Sequence, residues 1–248
     1  MNDETIEALA PWFYEFDLGP YGRTESKLIP EVRPIHNTRL AMINKVLDAY
    51  LDQTSAGTLC CLDIGCHEGF YSVELAKRGF KHVLGVDARE RSLQKARFVS
   101  RVLGLTNTEF QQMNAEDVSP ALVGHAHITL FLGLLYHLEN PMLCLRRMAS
   151  VTDGICILET QVIDEVDAVT ERGTVRNREA YKGVLALLED SVENMEAGTT
   201  SLVMCPSRRA VVTMLKHAGF ARTEFIDPPP GAYEQHARGK RVVCAAYK

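Results

Sequence analysis

From residue 58 onward, short continuous apolar runs alternate with stretches of helical periodicity. TLCCLDI (58–64), HVLGV (82–86), HITLFL (127–132) and GICILETQV (154–162) read as strands, with TEFQQM (108–113) a further one. FYSVELAKR (70–78), SLQKARFVSRVLG (92–104) and PMLCLRRMAS (141–150) read as helices between them. Gly104 stops the second helix. Pro141 opens the third, at a position where its missing N–H is no loss. Strands apolar throughout, alternating with helices, predict a parallel sheet covered on both faces. After residue 161 the alternation breaks. Residues 162–207, polar first and helical later, read as an insertion or substrate cap. SRRAVVTMLKHAG (207–219) then reads as a helix with a Ser N-cap and a Gly stop, and FARTEFID and KRVVCAAYK as two closing strands. Before the core, residues 1–57 read as an aromatic- and proline-rich cap followed by a helix over 37–53 behind an Asn N-cap. The expected organisation is one domain: this cap, a core over 58–161, the insertion, and 208–248 completing the sheet.

Composition narrows the function. Of 248 residues, 46% are apolar and the net charge is −5, which supports a packed core and argues against a broad nucleic-acid or membrane-binding surface. The acidic start lacks a signal-peptide pattern, and no apolar run reaches the length of a membrane span. The seven cysteines are scattered without a CxxC pair, which reads as reduced thiols in a cytoplasmic protein.

In doubly wound sheets ligands bind beyond the C-terminal strand ends, so the residues there are the candidate site. The first strand ends in D-I-G-C-H-E-G, carrying Asp63, Gly65, Cys66, His67 and Gly69. Dinucleotide loops have G-x-G-x-x-G, which lets backbone approach the pyrophosphate. Here the spacing is G-x-x-x-G, with His67 where a middle glycine would stand, so a dinucleotide is disfavoured. The second strand ends at Asp87, followed by Ala88. An acid there is placed to accept ribose hydroxyls, or to cap the next helix. MNAED places Asn114, Ala115 and Glu116 after the third strand, beside an adenine ring or in a solvated turn. LGLLYHLENP places Leu132, Gly133, Tyr136 and His137 after the fourth. The Tyr–His pair supplies a donor and a group titrating near neutrality.

In these residues the chain resembles class I S-adenosylmethionine-dependent methyltransferases over about residues 58–248. LDIGCHEGFYS, GVD, NAED and LGLLYHL correspond to that family's successive motifs. The resemblance implies a Rossmann-like α/β fold with a doubly wound seven-stranded sheet, mostly parallel with an antiparallel last strand. It implies S-adenosylmethionine as cofactor and S-adenosylhomocysteine as product. Gly65, Gly69, Leu132 and Gly133 would border the methionine part, Asp87 the ribose, and Ala115 with its neighbours the adenine. The chain departs from the pattern at His67 and at His127, where an acid is usual. It is most similar to the tRNA wobble-uridine carboxymethyl/methyltransferase group and its relatives, in which residues matching Tyr136 and Arg241 help bind a carboxylated cofactor. That group's lysine in a PWRKGP-like segment is absent from PWFYEF (11–16), which favours ordinary S-adenosylmethionine.

The expected reaction is methyl transfer to an oxygen or nitrogen of a small molecule, with His137 as base or Tyr136 orienting the acceptor. Trp12, Tyr14, Tyr136 and Arg241 are the expected substrate contacts. A tRNA substrate and a non-catalytic cofactor-binding protein are the alternatives. Arg172, Arg176 and Arg178 form a cationic cluster that reads as a solvated helix start. Glu139 and Asn140 are too few for a metal site, and none is expected.

Overall fold

The computed structural model describes residues 5–52, 54–165, 181–191 and 198–248. Its centre is a seven-stranded sheet: β1 (Cys60–Ile64), β2 (His82–Asp87), β3 (Thr108–Gln112), β4 (Ala126–Leu132), β5 (Thr152–Gln161), β8 (Arg222–Ile226) and β9 (Arg241–Tyr247). The order is β3-β2-β1-β4-β5-β9-β8. Strands β1 to β5 pair in parallel, and β9 runs antiparallel to both β5 and β8. The strand order reverses between β1 and β4, which opens a crevice at their C-terminal ends.

Successive strand residues point to opposite faces, and both faces are covered. Ile128 and Leu130 face a layer built from α1 (Pro34–Leu51), α2 (Phe70–Lys77) and α3 (Glu90–Val102). Phe131 and Leu158 face α5 (Pro141–Val151) and α6 (Arg208–Ala218). A short α4 (Pro120–Val123) precedes β4, and α7 (Glu234–Ala237) precedes β9. The expected punctuation of α6 is present: the Ser207 side chain accepts from the Ala210 N–H, and Gly219 adopts a left-handed φ of 111°.

Two local readings need correction. The first helix begins at Pro34, not after Asn37, because a proline at the first helical position starts the helix one turn earlier. Within the insertion, LALLE is not helical. It forms β6 (Leu185–Glu189), paired antiparallel with β7 (Leu202–Pro206). Cross-strand pairing overrides the helical propensity of leucine, alanine and glutamate. The arginines at 172, 176 and 178 lie outside the described residues. Among the described residues no helix is long and apolar enough to cross a membrane.

Candidate active site

The turn after β1 folds back over the end of β2. Gly65 and Cys66 both donate their N–H to the Val86 carbonyl, at 2.8 and 3.0 Å. Gly65 takes a φ of 75°, and His67 takes 51°, an uncommon value for a residue with a side chain. The His67 N–H then donates to Asp87 Oδ2 and the Arg89 N–H to Oδ1, each at 2.9 Å. Two backbone bonds hold the Asp87 carboxylate at the crevice with further lone pairs to offer.

Asp87 sits where two spaces meet. A narrow slot of about 60 Å³ is lined by Ala88, Met113, Asn114, Ala115, Leu134 and Leu138, with Gly198 and Thr199 of the insertion across from them. A larger cavity of about 320 Å³ lies on the other side, against Leu132, Gly133, Tyr136, Arg241 and the cap residues Phe13 and Tyr14. Gly65, Asp87, Arg89, Leu134 and His137 line both. At Gly133, φ is 66°, and a Cβ would lie 3.4 Å from Arg39 Nη2. The left-handed turn therefore leaves room for a guanidinium beside the strand end.

Not every candidate faces these spaces. Asp63 is buried and accepts from Ser72 Oγ at 2.7 Å, and burial pushes its carboxyl up to about 7. Cys66 packs with Leu93, Ala96 and Phe110, and burial drives its thiol well above the usual range. A Cβ on Gly69 would meet Ala96 Cβ at 2.8 Å and Phe110 at 3.1 Å, so this glycine serves helix–strand packing. Glu116 accepts from Asn140 Nδ2 at 3.1 Å. Trp12 is in the core, its indole N–H donating to the Ile6 carbonyl. None of these five lines either space. His127, in the place of the usual acid, accepts from the Cys60 N–H at 3.2 Å through Nδ1.

The roof is pinned by buried charge. Glu68 accepts from the N–H groups of Phe13 and Tyr14 and pairs with Lys95 Nζ at 2.6 Å. Lys95 also donates to the Pro11 carbonyl. The cap is thus held over the first loop by this buried ion pair as well as by the packing of Trp12, Tyr14 and Phe16 in the core. At the far wall, Arg39 and Arg241 both bridge the fully buried Glu159, each at 3.0 Å. Burial alone would raise the Glu159 carboxyl; the two guanidiniums hold it well below the carboxylate range. Arg241 also donates to Tyr136 Oη at 2.9 Å and to Gln235 at 2.8 Å. Two cations on one anion leave one positive charge.

His137 stands between the slot and the cavity, its ring tilted 43° against that of Tyr136 with centroids 4.1 Å apart. Its Nδ1 is 2.7 Å from Asp190 Oδ2. Burial lowers its pKa below the ordinary histidine value, and Asp190 opposes that shift. With Nδ1–H on the carboxylate, Nε2 carries the free lone pair. Asp190 comes from the insertion, which is seated by the Met204 N–H on the Leu138 carbonyl at 3.1 Å. A Cβ on Gly198 would collide with the His137 carbonyl, so a glycine is required at this approach.

Sequence reasoning missed His36, Arg39, Glu159 and Asp190. Arg39 and Glu159 did leave a signal: each is a charge at an apolar-face position, Arg39 a turn before Met42 and Ile43 and Glu159 within a buried strand. Asp190 left none, because nothing local links residues 190 and 137.

Fold and site together define a doubly wound α/β protein with a two-part cleft, a slot of about 60 Å³ and a cavity of about 320 Å³, at its switch point. A family model described as a methyltransferase domain matches residues 57–219, and the chain belongs to that family, whose cofactor is S-adenosylmethionine. Among curated proteins it is 26% identical over 188 residues to a tRNA U34 carboxymethyltransferase of Desulfotalea psychrophila, covering 75% of this chain and 52% of that one. It is 30% identical over 123 residues to a ubiquinone biosynthesis O-methyltransferase of Aeromonas salmonicida, covering 49% of each. The chain thus spans about half the length of the curated relatives it matches. Among solved structures, the N-terminal domain of EvdMO1, crystallised with S-adenosylhomocysteine and D-fucose, superposes with a TM-score of 0.71 at 24% identity, covering 98% of this chain and 93% of that one. Magnesium protoporphyrin IX methyltransferase of Synechocystis PCC 6803 gives 0.58 at 20% identity, covering 90% of each. Both likenesses are of fold.

Proposed function

We infer that this protein transfers a methyl group from S-adenosylmethionine to an oxygen or nitrogen of a small molecule. The observation that carries this reading is the roofed cavity of about 320 Å³ adjoining Asp87. A space of that size suits a small acceptor beside the end of a cofactor, not a nucleic-acid strand.

The donor set fits the cofactor. The slot of Ala88, Met113, Ala115, Leu134 and Leu138 offers apolar faces to an adenine. Asp87 has lone pairs for ribose hydroxyls. Gly65 and Gly133 leave backbone clearance along the strand ends, and Arg39 beside Gly133 is the cation for an amino-acid carboxylate. When bound, S-adenosylmethionine supplies an electrophilic methyl on a sulfonium. The protein's part is position and proton handling. His137 Nε2, held by Asp190, takes the acceptor's proton where the acceptor is protonated. Tyr136, fixed by Arg241, lines the same cavity beside it and orients the acceptor. The single surplus charge of Arg39, Arg241 and Glu159 matches one carboxylate, which supports the ordinary cofactor over a carboxylated one.

Calorimetry with S-adenosylmethionine and S-adenosylhomocysteine is the test. Binding of both is expected, and binding of neither removes the reading. The likeness to a tRNA U34 carboxymethyltransferase supports a second one, an RNA substrate. Tight, steeply salt-dependent tRNA binding would establish that reading over the first.

A further inference from the structure

Both ring nitrogens of His36 are buried without a hydrogen-bond partner among the described residues. The residue is 7% exposed and lines the inner cavity. An unpaired buried polar group is destabilising, so an imidazole held this way calls for a physical cause. Aromatic packing is one: Tyr14 lies at 4.4 Å and Phe13 at 5.1 Å. Yet phenylalanine would fill that cluster with no orphaned nitrogens. A ligand is the other. His36 is also a wall of a second, outer cavity of about 300 Å³ between the cap, with Glu15 and Arg33, and Gly231. Among the described residues it is the one common to the linings of the two cavities, and it stands as the partition between them.

We propose that His36 is an acceptor-binding residue whose ring turns its nitrogens, shielded from both cavities as it stands, toward a hydroxyl on an uncharged, apolar-bodied methyl acceptor lying against Phe13 and Tyr14. The proposal rests on the methyltransferase reading. Burial first, and Arg39 second, lower the His36 pKa to about 3. At neutral pH the ring therefore holds one donor and one acceptor, the complement of a hydroxyl, which is both. A cationic acceptor is disfavoured, since Arg39 and Arg241 already share a single carboxylate. The outer cavity gives a substituent on the acceptor somewhere to extend past the partition.

Phenol and toluene differ only by hydroxyl against methyl, and they serve as probes. After S-adenosylhomocysteine binding is measured by calorimetry, each probe is titrated into that complex by ligand-observed NMR. The expected result is a phenol preference of roughly five- to tenfold, the worth of one hydrogen bond. His36→Phe reduces it to about twofold or less on the same scale with S-adenosylhomocysteine affinity unchanged, and His36→Gln retains most of it. Should the phenylalanine variant not fold, His36→Leu reads the same quantity. An undiminished preference without the imidazole, or no preference or no probe binding in the unmodified complex, overturns the proposal. Failure of S-adenosylhomocysteine itself to bind takes down the methyltransferase reading, and this proposal with it.

Discussion

The floor and the roof of the site are built in different ways. The floor, at the ends of β1 and β2, is assembled from residues 63–89 by backbone bonds: Gly65 and Cys66 to Val86, His67 and Arg89 to Asp87. The roof and walls come from the cap, α1 and the β6–β7 insertion. They are fixed by a few side-chain contacts across long sequence separations: Glu68 with Lys95 and the cap, Arg39 and Arg241 with Glu159, Asp190 with His137. Among these floor bonds the Asp87 carboxylate is the only side chain taking part, whereas each of these roof contacts needs a charged side chain.

Four substitutions bear on that contrast. Glu68→Ala strips the partner from buried Lys95 and the acceptor from two cap N–H groups. A loss of about 3–5 kcal/mol in denaturant unfolding is expected, and a loss within 1 kcal/mol would mean the cap is held by its aromatic rings instead. Gly69→Ala strikes the floor at a left-handed φ against Ala96. About 2–3 kcal/mol of stability is expected to go, with S-adenosylhomocysteine affinity little changed; a large affinity loss in the folded variant would make Gly69 a ligand contact. Asp87→Asn keeps the shape but removes the charge that accepts hydroxyls. Roughly tenfold weaker S-adenosylhomocysteine binding by calorimetry is expected, and equal affinity would remove Asp87 from the site.

Asp190→Asn is the mildest. Asp190 raises the His137 pKa against a larger lowering by burial, so loss of its charge moves the His137 titration to lower pH. The neutral ring, the form that can take a proton, then persists to more acidic pH, while its basicity falls. An NMR titration of the ring reads the shift, expected toward lower pH. No movement would separate Asp190 from His137.

The floor was legible because turn chemistry is local. D-I-G-C-H-E-G followed by G-V-D marks a strand, a turn and a second strand end on sight, and Asp87, Gly65, Leu132 and Gly133 do face the crevice. The same motif could not say which way each side chain turns. Asp63 and Cys66 carry polar chemistry yet point into the core, and Gly69 is a glycine for Phe110 and Ala96 rather than for a ligand. In the cap, Trp12 and Tyr14 looked alike as aromatic contacts. One lies in the core and the other lines the cavity, since the cap's path is set by Glu68, 54 residues away from Tyr14. LALLE misled for a related reason: its own propensity is helical, and its structure is decided by β7.

The sequence by itself determined the sheet, its helices, the strand-end turns and the acid at the end of β2. These follow from periodicity, glycine conformation and capping, which act over a few residues. Only the tertiary structure decided the roof: that Asp190 meets His137, that two arginines share Glu159, and that His36 stands unpaired between two cavities. These contacts join residues brought together by burial of distant segments. Buried charge and buried imidazole take their meaning from what surrounds them, and one local stretch of chain cannot specify that.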